Sequence, residues 1–130
     1  MVIKRVPQGA VQHKTAGPYS PVLEVMPGTT VLLSGQAPLD MEGNTIGETI
    51  EEQTRITIEH CIRLLDNAGC TLENVIEVNV YLTDLSEWPR FNEVYKEYFK
   101  EPYPARTAVG VQLLNNFKVE ITMRAMKPQV

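Results

Sequence analysis

Cysteine is scarce in this chain of 130 residues, which has only Cys61 and Cys70. Two cysteines do not make a disulfide framework, and their spacing does not match a CxxC metal motif. Reduced thiols in a cytoplasmic protein are the simpler interpretation. The two histidines, His13 and His60, have no ligand partner at metal-binding spacing. We therefore expect no metal site, and the sequence assigns neither histidine a function.

The chain also lacks an excess of positive charge and long apolar runs. Lys and Arg total 12 against 16 Asp and Glu, which gives a formal net charge of -4. Binding to RNA or DNA requires a basic field, so this balance argues against nucleic acid as the main partner. No apolar run approaches the roughly 20 residues that span a bilayer, and the N-terminal apolar stretch is too short for a signal peptide. We expect a cytoplasmic protein with one domain over residues 1–130.

Hydrophobic periodicity predicts two helices. Thr49 and Glu52 match a capping box, and apolar residues then recur at i, i+3, i+4 and i+7 until Gly69 ends the helix. A second helix, capped by Asp84 or Ser86, carries aromatic residues on its apolar side. These are Trp88, Phe91, Tyr95, Tyr98 and Phe99.

Six further segments predict strands: 2–6, 22–26, 30–34, 75–82, a short strand that begins near Arg106, and 118–126. In the last of these, every second residue from 119 to 125 is apolar, which is typical of a half-buried strand. The predicted order is βββαβαββ, an α+β fold with one six-stranded sheet. Two helices cover only one face of such a sheet. We therefore expect the apolar stripe on the other face to be buried by oligomerisation.

Two charged residues on the last two strands are candidates for chemistry. Arg106 follows Pro104-Ala105, a pair that favours extended backbone. A guanidinium fixed on a strand is suited to binding a carboxylate, because its fork of donors matches two oxygens. Glu120 lies within the alternating strand, where its carboxylate can hold a water or accept a proton. The alternative is that both are surface charges on an exposed face.

Spacing limits how these two residues can meet. If Asn115-Asn116 closed a tight hairpin, Arg106 would pair with position 125. Glu120 would then lie five residues along the strand, about 16 Å away. The two side chains would not reach one small substrate within one chain. Either they meet across a subunit interface, or the last two strands are not neighbours.

The chain resembles the YjgF/RidA family, also called endoribonuclease L-PSP. The matching motifs occur in the family's order along almost the whole chain: GPYS at 17–20, LSGQ at 33–36, NEVYKEYF at 92–99, PARTAV at 104–109 and KVEI at 118–121. The resemblance implies a chorismate-mutase-like α+β fold with non-adjacent last strands. It also implies a homotrimer with three sites at its subunit interfaces.

The resemblance further implies an activity: hydrolysis of reactive enamines and imines to 2-keto acids and ammonia, without a cofactor. Examples of such substrates are 2-aminoacrylate, 2-iminopropanoate and 2-iminobutanoate, which pyridoxal-phosphate enzymes produce. In this family an arginine grips the substrate carboxylate and a glutamate orients the attacking water. Those roles fall on Arg106 and Glu120. The pocket lining falls on Tyr19, Ser34, Gly35 and Asn92.

Three departures from the family pattern leave the substrate open. Many members carry a cysteine where this chain has Ala108, so hydrolysis here must use water. Gly110 stands where a larger residue is common, and the loop 113–116 lacks the usual Leu-Pro and is one residue short. The alternatives are a deaminase of a larger acid such as an aminomuconate, a non-enzymatic small-acid-binding regulator, and a ribonuclease or translation inhibitor. The last requires a basic groove, against which the net charge speaks.

Overall fold

The computed structural model describes residues 3–129, and its elements follow the predicted order. They are β1 Lys4–Arg5, β2 Glu24–Val25, β3 Gly28–Gln36, α1 Ile50–Asn67, β4 Val75–Leu82, α2 Trp88–Tyr98, β5 Ala105–Gly110 and β6 Val119–Pro128. The first strand was predicted to begin at Val2, which lies outside the described residues. The expected alternation on β6 is confirmed, because Val119, Ile121, Met123 and Ala125 are buried.

The described strands form two sheets, so the prediction of a single six-stranded sheet is wrong. A four-stranded sheet has the order β3-β6-β4-β5, and β1 and β2 pair separately. Each of these two short strands contributes only two residues to its ladder. Pro7 and Pro27 lie beside them, and proline has no N–H to donate to a ladder. The prolines therefore limit the length of the ladder between these two strands.

β4 lies between the last two strands of the chain. It pairs in parallel with β5 and antiparallel with β6. The expectation that the last two strands are not neighbours is therefore confirmed. This arrangement makes β5 an edge strand, beside which α2 can pack.

Helix α1 has the local signals that the sequence predicts. Thr49 accepts from the Glu52 backbone, and the Glu52 side chain accepts from the Thr49 backbone, so the capping box is present. The helix ends at Asn67, shortly before Gly69, whose φ of 76° is in the left-handed region. Its buried side includes Ile58, which packs in one core with β4, β6 and the aromatic side of α2. Burying one such aliphatic side chain contributes about 1.5–3 kcal/mol.

Both helices cover the same face of the four-stranded sheet, as the sequence predicts. The opposite face is mainly polar rather than the apolar stripe expected from the sequence. There Arg124 forms an ion pair with Glu77 at 3.5 Å, and Asn79 donates to Thr122 at 3.4 Å. Leu32, which pairs with Arg124 in the ladder, is an apolar exception on this face and is 66% exposed. Among residues 3–129, no helix is both long and apolar enough to cross a membrane.

Candidate active site

Arg106 lies at the edge of the sheet, on the face that the helices cover. It pairs in register with Val78, a fully buried core residue, and paired residues point to the same face. Its Nη1 donates to Oδ1 of Asn92 on α2 at 2.9 Å. Strand β5 and helix α2 thus fix the half-buried guanidinium between them. The predicted neighbourhood of Arg106 and Asn92 is present.

Three aromatic rings surround this guanidinium. Cζ of Arg106 is 5.4 Å from the ring centroid of Tyr19, 4.8 Å from that of Trp88 and 4.6 Å from that of Tyr95. Each distance is within the range of a cation–π attraction, which favours the charged arginine. Burial lowers the pKa of Arg106, and the two tyrosines oppose that shift. Arginine nevertheless stays protonated in proteins, so the group remains a cation.

Arg106 has no carboxylate partner among the ion pairs of residues 3–129. Buried charges are normally paired, because leaving water is costly for an ion. Asn92 engages one of the five N–H donors of the guanidinium. The other contacts of the guanidinium within residues 3–129 are with Tyr19, Trp88 and Tyr95, none of which is a carboxylate. This environment is suited to an anionic ligand.

A cavity of about 370 Å³ opens beside the guanidinium. Its lining residues are Thr15, Gly17, Tyr19, Trp88, Asn92, Arg106 and Ala108. This volume is at the small end of ligand pockets. The predicted pocket residues Tyr19, Asn92 and Arg106 therefore share one cavity with Ala108, the position of the missing cysteine.

The loop before Tyr19 approaches the guanidinium closely at Gly17. A β-carbon on Gly17 would lie 3.4 Å from Nη2 of Arg106 and 3.9 Å from Nδ2 of Asn92. A side chain longer than that β-carbon would enter the space beside the two donor groups. The Gly17-Pro18 pair thus leaves the guanidinium accessible from the loop side.

The sequence placed Trp88 and Tyr95 on an apolar helix face and missed their contact with Arg106. They flank Asn92 at i-4 and i+3, a spacing that puts all three on one side of α2. The helical spacing from Asn92 was therefore the sequence feature that could have identified Trp88 and Tyr95. Burial raises the pKa of Tyr95, which keeps its phenol neutral. Its hydroxyl has no hydrogen-bond partner among the described residues.

Glu120 lies elsewhere, on the face of the sheet that the helices leave open. It pairs with Tyr81, three residues along β4 from Val78, and residues three apart on a strand point to opposite faces. Its carboxylate sits against the backbone of Gly35, where a β-carbon would be 2.2 Å from Oε2. Only glycine leaves room for this contact. Gly35 and Glu120 line a groove of about 970 Å³.

Ser34, the remaining predicted pocket residue, is exposed beside Gly35. Its carbonyl accepts from Nε2 of Gln36 at 3.0 Å. The ladder between β3 and β6 is irregular between Leu33 and Gln36, which includes Ser34 and Gly35. The predicted site residues therefore form two groups. Tyr19, Asn92 and Arg106 are one group, and Ser34, Gly35 and Glu120 are the other.

The structure does not bring Arg106 and Glu120 together within one chain. Strand geometry puts their Cα positions about 14 Å apart, with the side chains on opposite faces. Their predicted partnership in chemistry stays a prediction that requires a second copy of the chain. Among residues 3–129, no group of three or more His, Cys, Asp or Glu side chains is placed to hold a metal ion.

Gly110 and the shortened loop 113–116, the other two departures from the family pattern, do not line the Arg106 cavity. A β-carbon on Gly110 would lie 2.9 Å from Cγ of Leu85, so the Leu85 side chain occupies the space of a larger residue. In the shortened loop, Asn115 has a φ of 52° and Leu114 is 76% exposed. Leu114 borders the groove of Glu120 instead.

The chain is similar to proteins of known sequence and structure. Residues 10–127 match the family model described as endoribonuclease L-PSP. A RutC family protein of Pyrococcus abyssi is 44% identical over 102 residues, covering 78% of this chain and 79% of that protein. The 2-iminobutanoate/2-iminopropanoate deaminase of Homo sapiens is 32% identical over 128 residues, covering 97% and 92%. The solved structure of E. coli TdcF with bound serine has a TM-score of 0.71 at 30% identity, covering 85% and 93%.

Proposed function

Because this chain belongs to the endoribonuclease L-PSP family, also called the YjgF/RidA family, we propose that it deaminates small 2-enamino and 2-imino acids by hydrolysis. The substrates are 2-aminoacrylate, 2-iminopropanoate and 2-iminobutanoate, and the products are the 2-keto acids and ammonia. One observation carries the proposal: the half-buried Arg106 cation faces a small cavity without a carboxylate partner among residues 3–129. The name of the human relative supports the same chemistry.

Arg106 binds the substrate carboxylate. Its planar fork matches two carboxylate oxygens, and the hydrogen bond that its Nη1 donates to Oδ1 of Asn92 holds the fork in place. The aromatic rings of Tyr19, Trp88 and Tyr95 lie against the guanidinium and replace part of its hydration. A partly desolvated, fixed cation binds an anion more strongly than a fully hydrated one does. The cavity of about 370 Å³ has room for acids of three or four carbons.

Glu120 of a second copy supplies the base. Its carboxylate accepts a proton from water while the water oxygen bonds to the imine carbon. On the protonated imine, to which 2-aminoacrylate tautomerises, this addition gives a neutral carbinolamine. Glu120 returns its proton to the nitrogen, the C–N bond breaks as the hydroxyl oxygen forms the C=O bond, and the hydroxyl proton passes to the departing ammonia. With Ala108 in the cavity, no thiol competes with water at that position.

A homotrimer with sites at its subunit interfaces satisfies this geometry. Each interface would set the Glu120 groove of one copy against the Arg106 cavity of the next. The separation of Arg106 and Glu120 within one chain supports this arrangement, since one chain alone does not bring both side chains to one substrate. The cytoplasm remains the location that we predict.

The direct test generates 2-aminoacrylate in place, with a dehydratase acting on serine, and follows pyruvate release with and without the protein. We expect the protein to accelerate pyruvate release above the uncatalysed rate. The matched control is Arg106→Met, which removes the cation and should remove the acceleration. Binding of 2-ketobutyrate without any acceleration would instead favour the small-acid-binding regulator.

A further inference from the structure

One side chain connects two hydroxyl groups of the Arg106 cavity without lining that cavity itself. Nδ1 of His13 is 3.0 Å from Oγ1 of Thr15, and Nε2 is 3.0 Å from the hydroxyl of Tyr19. Both partners line the cavity. The sequence assigned His13 no function, because it has no ligand partner at metal-binding spacing. Its contacts join irregular loop residues, which no periodicity reveals.

The loop holds this imidazole in position. The backbone N–H of His13 donates to Oε1 of Gln12 at 3.3 Å, and Nε2 of Gln12 donates to the carbonyl of Tyr19 at 3.3 Å. The rings of His13 and Tyr19 have centroids 6.4 Å apart and are tilted by 52°. The His13 imidazole therefore contacts the Tyr19 phenol, and the ring of Tyr19 in turn contacts the Arg106 guanidinium.

We propose that His13 is a positioning residue that couples carboxylate binding at Arg106 to the uptake of one proton. A neutral imidazole has one N–H donor and one acceptor nitrogen. It can therefore accept a hydrogen bond from the hydroxyl of either Tyr19 or Thr15. That hydroxyl then cannot donate to a ligand. An imidazolium donates from both nitrogens, so both hydroxyls accept from His13 and turn their protons into the cavity. Protonation thus adds hydroxyl donors for a bound carboxylate.

Electrostatics act in the same direction. The charged group beyond Tyr19 is Arg106, whose Cζ is 5.4 Å from the Tyr19 ring, and Lys14 follows His13 in the chain. Among the hydrogen bonds and ion pairs of residues 3–129, no carboxylate contacts His13. A ligand carboxylate offsets the charge of Arg106, so ligand binding and protonation of His13 favour each other.

The test is calorimetric titration with 2-ketobutyrate between pH 5.5 and 8.5, in buffers of different ionisation enthalpy. A carboxylic acid stays ionised over this range, whereas histidine changes charge within it. We expect binding about 5- to 10-fold tighter at the acidic end, with proton uptake seen as a buffer-dependent heat. His13→Gln keeps a donor and an acceptor but takes up no proton, so its affinity should not change with pH. Tyr19→Phe should also reduce the dependence.

The second histidine of the chain gives the matched control. His60 lies on α1 and its Nε2 donates to the Leu39 carbonyl; it lines the groove of Glu120 and not the Arg106 cavity of its own chain. His60→Gln should keep the dependence of the parent protein. A dependence that survives His13→Gln, or one that is lost in His60→Gln, would overturn the proposal, and so would pH-independent binding or no binding by the parent.

The ligand class in this inference rests on the proposed function, but the two fail separately. Proton-coupled binding of 2-ketobutyrate without imine turnover would leave the inference standing and remove the deaminase. Turnover with pH-independent keto-acid binding would leave the deaminase and remove the role of His13.

Discussion

Arg106 and Glu120 point to opposite faces of one four-stranded sheet. Arg106 pairs with Val78 and Glu120 with Tyr81, positions of opposite parity on the strand between them. Arg106 faces α2 and a small cavity, whereas Glu120 faces a larger groove beside Gly35. A substrate of three or four carbons cannot reach both within one chain. The chemistry proposed for this pair therefore requires two chains.

The first prediction concerns the assembly in solution. We expect a homotrimer with a mass of about three times 14.6 kDa, because a cyclic trimer offers three equivalent interfaces between cavity and groove. Light scattering coupled to gel filtration measures this mass at micromolar concentration. A stable monomer would contradict the interface site.

The second prediction concerns Arg106→Lys. Lysine keeps the charge but replaces the planar fork with a point donor. Losing the bidentate contact should cost roughly 2–4 kcal/mol, or about 30- to 1000-fold in kcat/KM. Titration should show binding of 2-ketobutyrate weakened by a similar factor in this variant.

Arg55→Lys is the matched control for that change. Arg55 makes two hydrogen bonds to the carboxylate of Glu97 at 2.8 and 2.7 Å, on the protein surface. The same substitution there should leave binding and turnover unchanged. If Arg106→Lys folds, binds the keto acid and turns over like the parent, Arg106 does not bind the carboxylate.

The third prediction concerns Glu120→Gln. Glutamine keeps the shape and can hold a water, but it cannot take up a proton. We expect kcat to fall with little change in KM, because substrate binding rests on Arg106. Binding of 2-ketobutyrate should persist in this variant. A rise in KM at unchanged kcat would instead assign Glu120 to binding.

The fourth prediction concerns Lys4, whose ammonium is buried and donates to the carbonyl of Val75. Burial lowers the pKa of Lys4 to about 8, and Glu73 partly opposes the shift. Between pH 8 and the ordinary value of 10.5, the unfolded chain keeps a proton that the folded chain has released. The free energy of unfolding should therefore rise with pH there, by at most about 1.4 kcal/mol per unit.

Urea denaturation of the parent and of Lys4→Met at pH 7, 8.5 and 9.5 measures this effect. Below pH 8 the cost of burying the charged ammonium is fully present, so the parent should gain stability relative to the variant as the pH rises. Lys96→Met, at an exposed site on α2, is the control and should follow the parent at each pH. A constant difference between parent and Lys4→Met would show that Lys4 does not titrate in this range.

The sequence predicts the order of elements because that order rests on local signals. The Thr49 capping box, the stop at Gly69 and the alternation on β6 each act within a few residues, and each is present in the structure. The division into two sheets was not predicted, because strand pairing depends on partners that are distant in sequence. Pro7 and Pro27, beside β1 and β2, were the sequence feature that indicated short strands.

The candidate site was only partly predictable for the same reason. The family resemblance adds Asn92 and Tyr19 to Arg106, and helical spacing from Asn92 would have added Trp88 and Tyr95. The opposite orientation of Glu120 depends on the register of β4 against both neighbours, which no single strand contains.

Subunit complementation tests the composite site most directly. Arg106→Lys and Glu120→Gln proteins, each nearly inactive alone, are unfolded together in equal amounts and refolded. In random mixed trimers about a quarter of the interfaces combine an intact arginine from one chain with an intact glutamate from the next. We expect imine deaminase activity to return to about that fraction of the parent, whereas Arg106→Lys refolded with Arg106→Met should stay inactive. Mixed trimers confirmed by mass spectrometry, with no activity above that of the two separate variants, would contradict a site built from Arg106 and Glu120 of neighbouring chains.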